Sequence, residues 1–390
     1  MNSGTFRDTS LETISREILT PEELREIREY NRSDFVWGMV DRLVDLVYLT
    51  VMTFGVAAWL DTFLESAWGL ENGFVRGAVF ILILMGGHIL VSFPISYYSG
   101  YVLEKRYGLS ALTVGGWLRR YALRMLLATA MNLVVLLALL AMIRSCGEIW
   151  WLVAAGVFFL FSMLLGMLVP VWILPMFYPI ERLEREDLRE RFQRLTADTT
   201  LKIEGVYRME MSVETVKANA MLAGVGKTRR VLLGDTLLEH FSPEEIEAVF
   251  AHEVGHHVYG HLWKMMVGML GLSFLLFWGL DFLLRQWVGE PFSYATLPVW
   301  TLSMFLWVSL LVGWLLEPLQ NGISRYFERQ SDAYAVRKRG DGEALATAFI
   351  QLAKQNKADP NPPWLEVFWM HSHPSLAERI RNARQFSEIP

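Results

Sequence analysis

Long apolar runs alternate with charged stretches along this chain. Six of the runs, near 36–60, 75–98, 121–143, 150–173, 262–284 and 296–317, reach the roughly 20 residues that a helix needs to cross the hydrocarbon layer. The pattern predicts six membrane-spanning helices. The first carries Asp41, Arg42 and Asp45 in its opening turns, and the second is interrupted by Gly86, Gly87 and Pro94, so a kink is expected where neighbouring helices can satisfy the backbone. The second also holds His88. Ionisable groups inside a span face the bundle interior, so this residue marks either a polar cavity or a satisfied histidine between helices.

The intervening stretches follow other patterns. Residues 181–196 read as a charged amphipathic helix, and 216–223 and 228–233 as β-prone runs joined by Gly224-Val-Gly226-Lys, which predicts a hairpin. Ser242-Pro-Glu-Glu245 supplies a capping-box Ser, a Pro at the first helical position and a Glu three residues after the cap. The helix it starts is expected to run straight on into the fifth span. A further helix over 324–333 leaves the sixth span and should end at Arg337-Lys-Arg-Gly340, with cations in its last turn and Gly as the stop. The chain then divides into an N-terminal helical segment (1–35), four spans (36–173), a folded segment (174–261), two spans (262–317) and a second folded segment (318–390). The two folded segments read as parts of one small α+β domain.

Composition agrees with a polytopic membrane protein, since hydrophobic residues make up 53% of the 390. Only Arg76, Arg144 and Arg285 fall on one side of the six-span arrangement. The other 33 of the 36 Lys and Arg fall on the opposite side, which is cytoplasmic by the positive-inside rule and holds both termini and both folded segments. A net charge of −5 offers no basic excess for a nucleic-acid partner. The first 35 residues have no apolar core of signal-peptide type, so insertion is expected to rest on the later runs. The single cysteine, Cys146, has no base positioned beside it to make it a nucleophile.

Candidate chemistry centres on His252-Glu253-Val-Gly-His256. Residues four apart on a helix lie about 40° apart around its axis, so His252 and His256 can present two imidazoles to one metal ion. Glu253 lies beside them, placed to take a proton from an attacking water. Zinc in a hydrolase needs a third protein ligand and one open position. The best candidate is Glu328, in Ser324-Arg-Tyr-Phe-Glu328-Arg-Gln-Ser-Asp332. Asp332, one turn on, could accept a hydrogen bond from a ligand imidazole. Spacing alone also allows Glu328 and Asp332 to be a solvent-facing acidic pair near a membrane boundary. His257 and His261 lie off the ligand face and are expected to pack or to hydrogen-bond.

With these motifs, the C-terminal His371-Ser-His373-Pro-Ser-Leu-Ala-Glu-Arg379, Glu104-Lys-Arg-Tyr-Gly-Leu-Ser110, Ala218-Asn-Ala220 and Arg230-Val-Leu-Leu-Gly-Asp235-Thr-Leu in view, the sequence resembles the type I CAAX prenyl protease family, integral-membrane gluzincin-type zinc endopeptidases. The resemblance runs over nearly the whole chain from about residue 20. It implies one Zn2+ per chain held by His252, His256 and Glu328, with Glu253 as general base and acid. It further implies Asp332 as a supporting carboxylate, His373 as oxyanion stabiliser, Arg379 as a brace, and Asn219 and Ala220 on an edge strand that pairs with an extended substrate. The implied architecture is a chamber of transmembrane helices, seven in most members against six here, capped by the protease domain on the cytoplasmic side. The implied substrates are peptides or proteins, prenylated or membrane-associated. The same motif occurs in site-2-type intramembrane proteases, where it lies inside a span, and in HtpX-like quality-control endoproteases, which have no prenyl requirement. A transporter or channel with structural zinc would instead need its polar groups within the spans.

Overall fold

A computed structural model of the chain describes residues 3–224 and 229–386. It is mainly helical. Helices α1 (Ser3–Ile18) and α2 (Pro21–Val51) meet at Thr20. There the Glu23 N–H donates to Thr20 Oγ1 at 3.2 Å and the Thr20 N–H donates to the Glu23 carboxylate at 2.8 Å, a capping box with Pro at the first helical position. One π-helical turn carries α2 into α3 (Ala57–Ser66), so the expected first span lies within a single stretch, Pro21–Ser66. Helix α4 (Gly73–Tyr97) keeps Pro94 within it and continues through a π-helical turn into α5 (Glu104–Arg106). Helices α6 (Val114–Cys146) and α7 (Trp150–Leu168) pack against each other, and between them Gly147 takes a left-handed φ of 56°.

Among the described residues four short strands follow: β1 (Ile180–Arg182), β2 (Gly205–Met209), β3 (Ala220–Ala223) and β4 (Arg230–Gly234), with helix α8 (Glu186–Thr196) between β1 and β2. They form one sheet in the order β1-β2-β4-β3. β2 runs parallel to β4, and the other pairs are antiparallel, with Ala220 opposite Leu233 and Ala223 opposite Arg230. The expected hairpin is therefore present as β3 and β4. Its strand starts later than expected, at Ala220, and residues 225–228 of its turn lie outside the described residues. The expected helix over 181–196 is corrected at its start: Ile180–Arg182 forms β1, because those backbone groups find partners on β2, and the helix begins at Glu186.

Helices α9 (Asp235–His240), α10 (Pro243–Val258), α11 (His261–Val288), α12 (Thr301–Arg339), α13 (Glu343–Gln355), α14 (Trp364–Met370) and α15 (Leu376–Phe386) complete the chain. The α10 helix does not run straight into the fifth span. Gly260 adopts φ 64°, a conformation costly for any residue with a Cβ, and breaks the rod so that α11 starts in a new direction. Helix α12 stops as expected, at Gly340, whose φ is 70° and whose N–H donates to Val336 O at 2.8 Å.

Among the described residues five helical stretches are long and apolar enough to cross a membrane: Pro21–Ser66, Gly73–Arg106, Val114–Met176, His261–Val288 and Thr301–Arg339. The third and fourth expected spans both fall in Val114–Met176. Polar groups buried among these helices are largely paired, as a low-dielectric surrounding requires. Asp281 accepts from Trp150 Nε1 at 2.6 Å and Tyr294 OH at 2.7 Å, and Arg42 holds Glu317 with two hydrogen bonds of 2.5 and 2.8 Å. His88 Nε2 lies 2.7 Å from Asp45 Oδ1, so this histidine is satisfied between α2 and α4.

Among the described residues two large hydrophobic cores result, beside a small one around Tyr30, Leu103 and Leu109. One lies among the membrane stretches around Phe80, Leu140 and Trp150. The other joins the sheet to α8, α10, α13 and α15, with the rings of Phe192 and Phe250 centred 4.0 Å apart. This second core takes residues from both sides of α11 and α12 and from Ile18 and Leu24 near the N-terminus.

Candidate active site

The register of α10 is fixed at its start. The Glu245 N–H donates to Ser242 Oγ at 3.3 Å and the Ser242 N–H donates to the Glu245 carboxylate at 2.8 Å, as the sequence pattern requires. Counting from that cap, Ala248, Ala251, His252 and Gly255 recur at helical spacing and are buried, and α10 packs along α12. Gly255 permits the contact. A Cβ there would stand 2.9 Å from Ser331 Cα and 3.2 Å from the Cβ atoms of Ser331 and Tyr334. The obstacle includes backbone, so Gly255→Ala is expected to push the two helices apart and to lower metal affinity by about 10–100-fold, the scale of losing a supporting contact at a metal site. Titration with a competing chelator measures this, and unchanged affinity would contradict it.

Close packing of α10 on α12 brings His252, His256 and Glu328 together. Their three donor atoms lie within 4.8 Å of one another, and among the described residues this is the one such group of His, Cys, Asp and Glu side chains. His252 Nε2 is 3.1 Å from His256 Nε2, and Glu328 places one carboxylate oxygen 3.3 Å from the first and the other 3.2 Å from the second. Supporting groups surround them. His252 Nδ1 donates to Asp332 Oδ1 at 2.8 Å, so Nε2 is the nitrogen turned towards the cluster. Arg379 donates to both oxygens of Asp332, at 2.7 and 2.8 Å, lies 3.2 Å from Glu328 Oε2 and stacks 4.1 Å over the Phe349 ring. Glu328, Asp332 and Arg379 are only 5%, 3% and 7% exposed, which rules out the solvent-facing acidic pair.

Electrostatics follow from that burial. Desolvation disfavours charge on His252, but Asp332 and Glu328 outweigh it and hold its pKa up to about 10. The protein surrounding it pushes the His373 imidazole below its usual value, with Glu328 opposing, although the ring itself is more than half exposed. His373 Nε2 faces Glu328 Oε1 at 3.4 Å, while the Ser372 hydroxyl lies 2.9 Å from Nδ1. A hydroxyl donating to Nδ1 leaves the ring proton on Nε2. Glu253 is half-buried at the next position of α10, and its carboxylate takes no hydrogen bond from any described residue.

The remaining expected residues lie on the neighbouring sheet. Ala220 opens β3, the outer strand, and Asn219 O accepts from the Gly234 N–H at 2.9 Å, so the far side of β3 is unpaired among the described residues. β3 packs against α10. His257 bonds Arg229 and Thr200, away from the cluster. His261 is buried and links His256 Nδ1 to Gln330 Oε1, each at 3.0 Å. Gln330 was not among the expected residues; its position two residues after Glu328 was the one signal available.

Comparison with known proteins gives the chain its class. Residues 182–387 match the model of peptidase family M48, and residues 7–179 match that of the CAAX prenyl protease N-terminal region, described as five membrane helices. YhfN, an uncharacterized metalloprotease of Bacillus subtilis, is 26% identical over 377 residues, which span 95% of this chain and 88% of the relative. CAAX prenyl protease 1 of Saccharomyces cerevisiae is 27% identical over 411 residues, spanning 98% and 90%. The crystal structure of S. mikatae Ste24p matches with a TM-score of 0.81 at 25% identity, over 97% of this chain and 95% of that one. The chain belongs to peptidase family M48. It is an integral-membrane metalloendopeptidase resembling the CAAX prenyl proteases.

A metallopeptidase implies a metal, and the residues present fit one. Two imidazole nitrogens and a carboxylate converge, and Glu328 Oε2 is buried with no hydrogen-bond partner among the described residues. Arg379 braces that oxygen at 3.2 Å, and the two carboxylate oxygens lie against the two imidazole nitrogens, the nitrogen-and-oxygen donor set that a divalent metal takes.

Proposed function

We propose that this protein is a zinc-dependent endopeptidase that cuts extended peptides at a membrane, and that prenylated protein C-termini are its substrates. The observation that carries the reading is the convergence of His252, His256 and Glu328 from two helices that belong to different parts of the chain. A donor set of two nitrogens and one oxygen is that of catalytic zinc with one position left open, so one Zn2+ per chain is assigned to these three residues. When bound, the ion supplies Lewis acidity towards the scissile carbonyl and the attacking water.

The chain's own groups do the rest. Glu253, free of other hydrogen bonds among the described residues, takes the proton of the attacking water and hands it to the departing amine. His373 donates its Nε2 proton to the carbonyl oxygen as charge builds there. Arg379 and Asp332 hold His252 in one tautomer and one orientation. The open edge of β3, beginning at Ala220 beside Asn219, accepts an extended substrate through backbone pairing, which tolerates many side chains.

The proposed setting extends the fold. The break at Gly147 divides Val114–Met176 into two spans, which makes six, and the six enclose a chamber. Residues 174–261 and 318–390 form one protease domain, placed on the cytoplasmic side by the excess of Lys and Arg there.

Purified protein stripped by 1,10-phenanthroline is expected to lose all cleavage and to regain it with one equivalent of Zn2+. A farnesylated CAAX peptide should be cut at least about 10-fold faster than its unprenylated twin, a difference of about 1.4 kcal/mol in transition-state binding. Equal rates on both peptides would favour an HtpX-like quality-control endoprotease instead.

A further inference from the structure

Helix α14 is short and carries four large apolar side chains, Trp364, Leu365, Phe368 and Trp369, exposed along one side, with the two tryptophans at 73% and 44% exposure. Its last carbonyls and Glu366 are held by polar partners. Arg325 Nη1 donates to Val367 O and His371 O at 2.7 Å each, Asn321 Nδ2 donates to Trp369 O at 2.7 Å, and Glu366 lies 3.1 Å from His371 Nε2. The helix is thus fixed to α12 with its aromatic face outward. A soluble domain rarely leaves such a face bare.

What covers it is indicated by its neighbour, α2. Trp364 and Leu365 share a cleft of about 1640 Å³ with Phe35 and Val36. Val36 begins a row of exposed apolar residues, continued by Leu43, Val47 and Val51, that recur at helical spacing on one face of α2. The opposite face of α2 carries Asp41, Asp45 and Tyr48, which bond or face other helices. The apolar row is therefore the lipid-facing side of a membrane stretch, and α14 lies beside its first turn, at the depth where the apolar run begins. Arg32, one turn earlier on α2, lines the same cleft without an ion-pair partner among the described residues, whereas Arg28 is matched by Glu12 and Asp359. Tryptophan at the edge of the hydrocarbon layer, with an unpaired arginine at headgroup level, is the chemistry of a membrane interface.

The geometry points to α14 as an in-plane interfacial helix, seated by Trp364, Leu365, Phe368 and Trp369 in the headgroup–acyl boundary of a phospholipid bilayer. The contact has a functional address. Arg325 ties the carbonyls of both α14 and His371 to α12, two residues before His373, so the bilayer surface becomes one of the supports of the segment that enters the active site.

The inference does not depend on the substrate and is tested without catalysis. In a Cys146→Ser chain reconstituted in phosphatidylcholine–phosphatidylglycerol vesicles, nitroxides are placed singly at positions 364, 365, 368 and 369, with references at Val47 on the lipid-facing row and at exposed Gln193 on α8. Relaxation by oxygen against relaxation by a water-soluble nickel chelate is expected to give ratios at least threefold above that of Gln193 at three or more of the four sites. Ratios at the Gln193 level at two or more sites would overturn the inference. The unaltered chain supplies an independent reading: a phospholipid with a photoreactive group near its headgroup should crosslink to residues 364–369, and crosslinking confined to the membrane stretches would refute the contact.

Discussion

Glu253→Gln is expected to slow peptide cleavage by about 10²–10⁴-fold while the metal stays bound at one ion per chain. The exchange keeps the size and shape of the side chain and removes its affinity for a proton. Glu253 is not among the three converging side chains, and it has no hydrogen-bond partner among the described residues. Stability should therefore change by no more than about 0.5 kcal/mol. Metal analysis and a thermal midpoint measured on the same preparation separate this outcome from misfolding. Glu328→Gln makes the contrast, because it weakens the donor set itself and should release the metal. Wild-type cleavage by the Glu253 variant would remove that residue from the mechanism.

Arg379→Met should produce the largest loss of stability. The guanidinium is buried between two carboxylates, Asp332 and Glu328, and burial, which opposes its charge, is outweighed by those neighbours so that its pKa is raised. Taking away one member of a buried ionic group leaves uncompensated charge behind, at a cost of about 3–5 kcal/mol. In protein stripped of metal, the thermal midpoint is expected to fall by about 10 °C. Saturating Zn2+ should recover part of that loss, since a cation at Glu328 restores positive charge beside it. Lysine is expected to be a poor substitute, because it cannot offer Asp332 two parallel donors or stack on Phe349. A fall of less than about 2 °C would show that the carboxylates find other partners.

What could be read from the sequence was local. The apolar runs, the Ser242 capping box, the His252/His256 spacing and the stop at Gly340 each rest on contacts within a few residues, and each is present in the fold. Glu328 and Asp332 were legible as one face of one helix, but that this face turns inward and not to solvent needed the packing of α10 on α12. Strand β2 was missed for a related reason. Gly205–Met209 is a strand by virtue of its pairing with Arg230–Gly234, and no alternation within five residues announces that. The Gly260 break was hidden because apolar helical residues lie on both sides of one glycine. Gly255 looked like filler between two histidines until Ser331 was found 2.9 Å from where its Cβ would be. His373 and Arg379 were expected through family resemblance alone, since nothing in their spacing ties them to residues more than a hundred positions earlier.

The second core has a consequence for how the enzyme is made. Its packing needs Ile18 and Leu24 from the first helices and Ile380 and Ala383 from the last. A nascent chain still threading its final membrane stretch has exposed His252, Glu253 and His256, but Glu328, His373 and Arg379 have yet to leave the ribosome. Half-made copies therefore lack a complete centre.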